Sequence, residues 1–134
     1  MPNPHFPQLA LLVGAPHLNQ TSMHYDIAAM YAALQRRGIT AEEILCLEGR
    51  LDRRLFLDFL SAVHQRIAAW PSGTLFFYIS GHGFFTGDRV EETRVGVELQ
   101  PTTLPASEAR VYWDEILQIL APPAGVMLTL LPDH

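Results

Sequence analysis

The sequence predicts an α/β domain with a mainly parallel sheet between layers of helix. Three features carry that prediction. Short runs are apolar throughout, as strands buried on both faces are; segments of helical period separate them; and the connections are short enough to make successive elements neighbours. Residues 9–14, Leu-Ala-Leu-Leu-Val-Gly, form the first run, closed by Ala15 and Pro16. Thr21 or Ser22 caps the expected first helix, in which Ile27, Met30, Tyr31 and Leu34 recur at i, i+3, i+4 and i+7, and Gly38 supplies a left-handed C-terminus. A second strand is expected at residues 43–47, before Gly49. Asp52 then caps a second helix carrying Phe56, Phe59, Leu60, Val63 and Ile67, which stops at Pro71. Residues 74–80 are the strongest strand, β-branched and aromatic, and run into Gly81-His82-Gly83, read as a turn. From 84 to 110 the pattern is irregular, broken by Gly87, Pro101 and Pro105, with a short edge strand or small edge hairpin involving residues 94–99. Asp114 is the expected cap of a short helix bearing Ile116, Ile119 and Leu120, and residues 125–131 form a fourth apolar strand. The order β-α-β-α-β-loop-α-β, with no repeat or linker, makes residues 1–134 a single domain.

Composition narrows the function. With 134 residues, 49% hydrophobic and 17% charged, the chain is globular rather than disordered. Its formal charge is -5, from 14 acidic and 9 basic residues, and every basic residue is arginine. No basic face for nucleic acid is implied, so nucleic acid is not an expected partner. No apolar run approaches the roughly 18 residues of a membrane span, and Met1-Pro2-Asn3-Pro4 begins no leader, so a cytoplasmic chain without a membrane partner is expected. The single cysteine, Cys46, permits no internal disulfide and reads as a small hydrophobe in a buried strand.

In open parallel sheets, sites form beyond the carboxyl ends of the strands. That rule singles out residues 17–26, Gly81-His82-Gly83 and Asp133-His134. A histidine between two glycines at the end of a buried strand is poorly explained by packing. The glycines permit a tight turn that exposes backbone N–H groups beside the imidazole, as an oxyanion site requires. Other candidates are weaker. Asp88, Glu91 and Glu92 match no calcium-ligand spacing, so no cofactor is expected and calcium is only a weak alternative. His5, His17, His24 and His64 have no mutual metal spacing and read as surface or satisfied histidines. Ser80 lacks the nucleophile-elbow context of a serine hydrolase. Phe84 and Phe85 read as a cap on the core somewhat better than as a subsite wall.

The string Phe77-Tyr78-Ile79-Ser80-Gly81-His82-Gly83 resembles the histidine motif of the caspase and metacaspase clan of cysteine peptidases, in its prokaryotic form. Residues 11–14 resemble the clan's first strand, Asp26 with Met30 and Leu34 its first helix, and residues 123–129 the strand leading to the nucleophile. The resemblance spans nearly the whole chain. It implies the large-subunit-like part of a three-layer caspase-like sandwich with about four main strands and a Cys-His dyad in which His82 is the base. It also implies that Asp26 and Asp133 line an S1 pocket for arginine or lysine, where two acids pair best with a cation. In the ungapped alignment the catalytic cysteine falls just past His134; a shifted alignment sets Asp133-His134 on the Cys-His pair. A thiol beside His82 would lose its proton to the imidazole and attack a peptide carbonyl, with the oxyanion held by backbone N–H groups such as that of Gly83. His82 would then protonate the leaving amine. The expected partners are a peptide or protein substrate and a second fragment, subunit or copy that completes the open sheet edge. Two alternatives stand beside this: a catalytically inactive caspase-like binding or regulatory module, and a metal-dependent hydrolase using His82, Asp133 and His134.

Overall fold

The computed structural model describes residues 6–15, 22–99 and 105–133. Its elements in chain order are β1 (Gln8–Gly14), α1 (Ser22–Arg36), β2 (Ile44–Glu48), α2 (Arg53–Ile67), β3 (Gly73–Ser80), β4 (His82–Thr86), β5 (Arg94–Glu98), α3 (Ala106–Ala109), β6 (Arg110–Tyr112), α4 (Trp113–Leu120) and β7 (Val126–Asp133). Four strands form a parallel sheet in the order β2-β1-β3-β7, and β4-β5-β6 form a small antiparallel sheet. The protein is therefore α/β, as the apolar runs and their alternation with helices predict. Among the described residues no helix is long and apolar enough to cross a membrane.

The period-two alternation of β1 and β3 divides the core into two layers. Leu9, Leu11 and Val13 of β1 and Leu75, Phe77 and Ile79 of β3 face Phe56, Leu60, Val63 and Ile67 of α2 and Ile116 and Leu120 of α4. Ala10, Leu12 and Tyr78 point the other way, onto Ile27 and Leu34 of α1. Helix on one face and helices on the other give three layers. A fully buried side chain of the size of Phe56 or Phe77 contributes roughly 1.5–3 kcal/mol by leaving water. Two helix ends obey the sequence signals. Asp52 accepts a 2.8 Å hydrogen bond from the Leu55 N–H at the start of α2, and Gly38 just beyond α1 has φ +93°.

Several expectations are corrected. Gly81-His82-Gly83 is not a tight turn: His82 opens β4, and the glycines with positive φ are Gly38, Gly49, Gly73 and Gly87. Gly81 is instead closely packed, since a Cβ there would meet the Ala15 Cβ at 3.3 Å. Residues 94–99 do not form an edge; β5 is the central strand of the antiparallel sheet. Gly96 interrupted its apolar pattern, yet Gly96 is what lets the Phe84 and Tyr112 rings meet across the strand, 5.2 Å apart edge to face. Asp114 is not the cap of α4; Tyr112 holds that position and Asp114 pairs with Arg94 in the first turn. Cys46 is exposed, because β2 is an edge strand and its Cys46 face is only partly covered by α1. Phe84 is half-buried, but Phe85 is 72% exposed and caps nothing. Thr21, His5, His17 and His134 lie outside the described residues.

Candidate functional site

The candidate site is built at the carboxyl ends of β3 and β7. These strands are parallel neighbours, with Tyr78 opposite Leu131, Ile79 opposite Pro132 and Ser80 opposite Asp133. The Gly81 N–H extends the ladder by donating to the Asp133 carbonyl at 3.2 Å, and the Ala15 N–H donates to the Ser80 carbonyl at 2.8 Å. The ends of three adjacent strands, β1, β3 and β7, are thus fixed together where the chain leaves β3 for His82.

Along β3 the side chains of Tyr78 and Ser80 share the face turned toward α1. Each hydroxyl serves one acid. Tyr78 Oη donates to Asp133 Oδ2 at 2.8 Å, and Ser80 Oγ donates to Asp26 Oδ2 at 2.9 Å. Asp26 lies in α1 and Asp133 at the end of β7, so β3 gathers two carboxylates from opposite ends of the sequence. Both donors are neutral hydroxyls, which hold the carboxylates in place. Tyr78 and Ser80 are themselves buried, at 5% and 3% exposure. Burial, first, and then the Asp133 hydrogen bond and charge push the Tyr78 phenol up to about 12; Ser80 opposes this in part, and the Asp26 charge adds to it. Tyr78 therefore stays a neutral donor throughout the physiological range. Both carboxylates act on this one phenol, which places them in a single electrostatic neighbourhood.

His82 follows two residues after Ser80 and is exposed. It stands opposite Glu98 across the β4–β5 pair, and Gly83 stands opposite Val97. Gly83 thus belongs to a strand, and its backbone is set by the antiparallel ladder. Cys46 is remote from His82: it lies on β2, opposite Leu12 of β1, and β1 separates β2 from β3. Partial burial and the Glu48 carboxylate raise its thiol above the usual value, the opposite of an activated nucleophile.

The remaining candidates fall into ordinary roles. His24 Nδ1 lies 3.2 Å from Glu48 Oε1 on the surface, and His64 Nδ1 lies 3.0 Å from the Leu120 carbonyl, tying α2 to the end of α4. Asp88 is exposed, and Glu91 and Glu92 sit in an exposed 3-10 turn. Among the described residues no group of three His, Cys, Asp or Glu side chains is placed to hold a metal ion. Sequence reasoning assigned His82, Gly83, Asp26 and Asp133 but passed over Tyr78 and Ser80 as members of the cluster. The signal for them was present: two polar residues at i and i+2 on one face of an otherwise apolar strand, both ahead of the histidine. Comparison of the sequence with family models and with curated proteins finds no match.

Proposed function

We propose that the chain is the histidine-bearing part of a caspase-type cysteine peptidase of the metacaspase kind, cleaving after arginine or lysine. The observation that supports this best is the pair of hydroxyl-held carboxylates, Asp26 and Asp133, beside the strand end that delivers His82. Two buried hydroxyls of one strand each hold one acid, an arrangement suited to receiving a guanidinium or ammonium group. His82 serves as base toward a thiol and then as acid toward the leaving amine. Backbone N–H groups near Gly83 hold the oxyanion. The thiol comes from outside these 134 residues, since Cys46 lies on the far edge of the sheet. A second reading, a binding module without catalysis, is favoured by that same remoteness of Cys46.

The test begins with the protein isolated from its own cells. Its intact mass under denaturing conditions distinguishes a chain near 15.0 kDa from a longer or two-fragment protein carrying a further cysteine. Hydrolysis of an Arg-P1 peptide, blocked by a thiol alkylating agent and abolished by His82→Ala with the circular dichroism spectrum unchanged, is the expected result. Undiminished turnover in His82→Ala overturns the dyad. A protein of 15.0 kDa without hydrolysis leaves the binding module. Asp26→Asn is expected to reduce turnover of the Arg-P1 peptide more than that of an apolar P1 peptide; equal losses remove the S1 assignment.

A further inference from the structure

A second concentration of function-bearing groups lies on the small antiparallel sheet. A cleft of about 520 Å³ opens between that sheet and the starts of α2 and α4, lined by Arg53, Arg94, Ser107, Arg110, Tyr112 and Glu115. Three of the nine basic residues of a chain with net charge -5 converge there. Each of the three guanidinium groups is paired with one carboxylate: Arg53 with Glu115, Arg94 with Asp114 and Arg110 with Glu98.

Each guanidinium is held in a fixed plane. Arg94 lies with its Cζ 3.7 Å above the Tyr112 ring, and its Nε and Nη2 donate to Asp114 at 3.1 and 2.9 Å. Arg110 lies 4.7 Å above the Phe84 ring, and its Nε and Nη2 donate to Glu98 Oε1 at 3.1 and 3.0 Å. Arg53 donates through both terminal nitrogens to Glu115 and through Nη1 to the Arg110 carbonyl at 3.2 Å. Asp114 and Glu98 are not among the lining residues. They grip the Nε edge of their arginines, which turns the Nη1 edge away from the carboxylate. An arginine oriented by a carboxylate on one edge and an aromatic ring on its face is preorganised to offer a planar fork to a second anion. The Arg53 and Arg94 pairings also hold both side chains firmly in the charged form.

We propose that this cleft is a binding site for a small oxyanion, a carboxylate or phosphate group, recognised by Arg94 and Arg110 together with the Ser107 hydroxyl, while the terminal nitrogens of Arg53 stay committed to Glu115 and the Arg110 carbonyl. The site is separate from the Asp26–Asp133 cluster. Strand register places His82, Glu98 and Arg110 in one row across the small sheet, so the cleft begins two strand spacings, about 10 Å, from His82. The inference does not depend on the peptidase reading, because it concerns binding alone.

The test is an NMR titration of the chain, following the arginine side-chain Nε–Hε signals during addition of inorganic phosphate and, separately, of N-acetylaspartate at low salt. Saturable shifts at Arg94 and Arg110 are expected, weakened roughly tenfold in Arg94→Gln by the loss of one charge-assisted contact. The Arg94 and Asp114 side chains are 48% and 63% exposed, so that variant keeps the fold; Arg36→Gln, at the end of α1, is the control and leaves the affinity unchanged. Saturation by only one of the two probes supports the site and identifies its chemistry as phosphate or carboxylate. Shifts that rise linearly and equally at Arg36, or an affinity that Arg94→Gln does not alter, overturn the proposal.

Discussion

Tyr78 and Asp133 are bonded diagonally across the β3–β7 ladder. The residue opposite Tyr78 is Leu131, yet its hydroxyl reaches one pleat further to Asp133 Oδ2 at 2.8 Å. The contact ties the last residues of β7 to a buried phenol, which burial first and then the Asp133 hydrogen bond and charge push up to about 12. Because the folded value lies above the ordinary 10.0, the protonated phenol stabilises the fold fully below pH 10, and the contribution is lost as pH rises from there through about 12. The tyrosinate absorbance of wild type minus that of Tyr78→Phe is expected to titrate near the upper value. A difference spectrum that titrates at the ordinary value removes the Tyr78–Asp133 interaction.

Ser80→Ala leaves the Asp26 carboxylate without its 2.9 Å donor at a position only 3% exposed. The expected loss is about 1 kcal/mol in denaturant unfolding, and the double variant with Asp26→Ala is expected to lose less than the sum of the two single changes. Additive losses place the bond outside the energetics of the site.

Arg53 and Glu115 join α2 to α4 as a half-buried pair, with side chains 32% and 25% exposed. Hydrogen bonding from Arg53 holds the Glu115 carboxyl below its ordinary 4.5, so the stabilisation is present above that value and lost as pH falls through the lower folded value. Glu115→Gln is expected to cost about 1 kcal/mol at neutral pH, with the two proteins converging in stability below the carboxylate range. A cost that persists unchanged in acid assigns the effect to packing.

At Gly96, an added Cβ would lie 2.3 Å from the Val111 carbonyl oxygen and 2.7 Å from the Phe84 ring. Backbone cannot yield as a flexible side chain does. Gly96→Ala is therefore expected to destabilise by about 3 kcal/mol, measured by chemical unfolding, and to separate the Phe84 and Tyr112 rings that carry Arg110 and Arg94. A neutral Gly96→Ala shows that the small sheet shifts to make room.

Much of the parallel sheet was legible because its signals are local. Residues 9–14 and 74–80 carry apolar runs that need only their own side chains to be recognised, and Asp52 and Gly38 punctuate the helices within one turn of their positions. The small sheet was illegible for the opposite reason. β6 is three residues long, β5 is interrupted by Gly96, and β4 begins at a histidine flanked by glycines, so none shows a period of its own. Asp114 looked like a helix cap because capping residues precede helices, but its carboxylate is engaged by Arg94, twenty residues earlier.

By itself the sequence determined the α/β class, the order of strands and helices, and the presence of a histidine just past the third strand, since each follows from residue periodicity or adjacency. The tertiary structure alone decided which strands lie at the edges, which exposed Cys46, and which acids the β3 hydroxyls hold. Asp26 and Asp133 are held by the same strand only because β3 offers two hydroxyls on one face, one to α1 and one to β7. The arginine cleft likewise exists only where α2, α4 and the small sheet meet. Such convergences depend on contacts between residues far apart in the chain, and no local pattern of side chains encodes them.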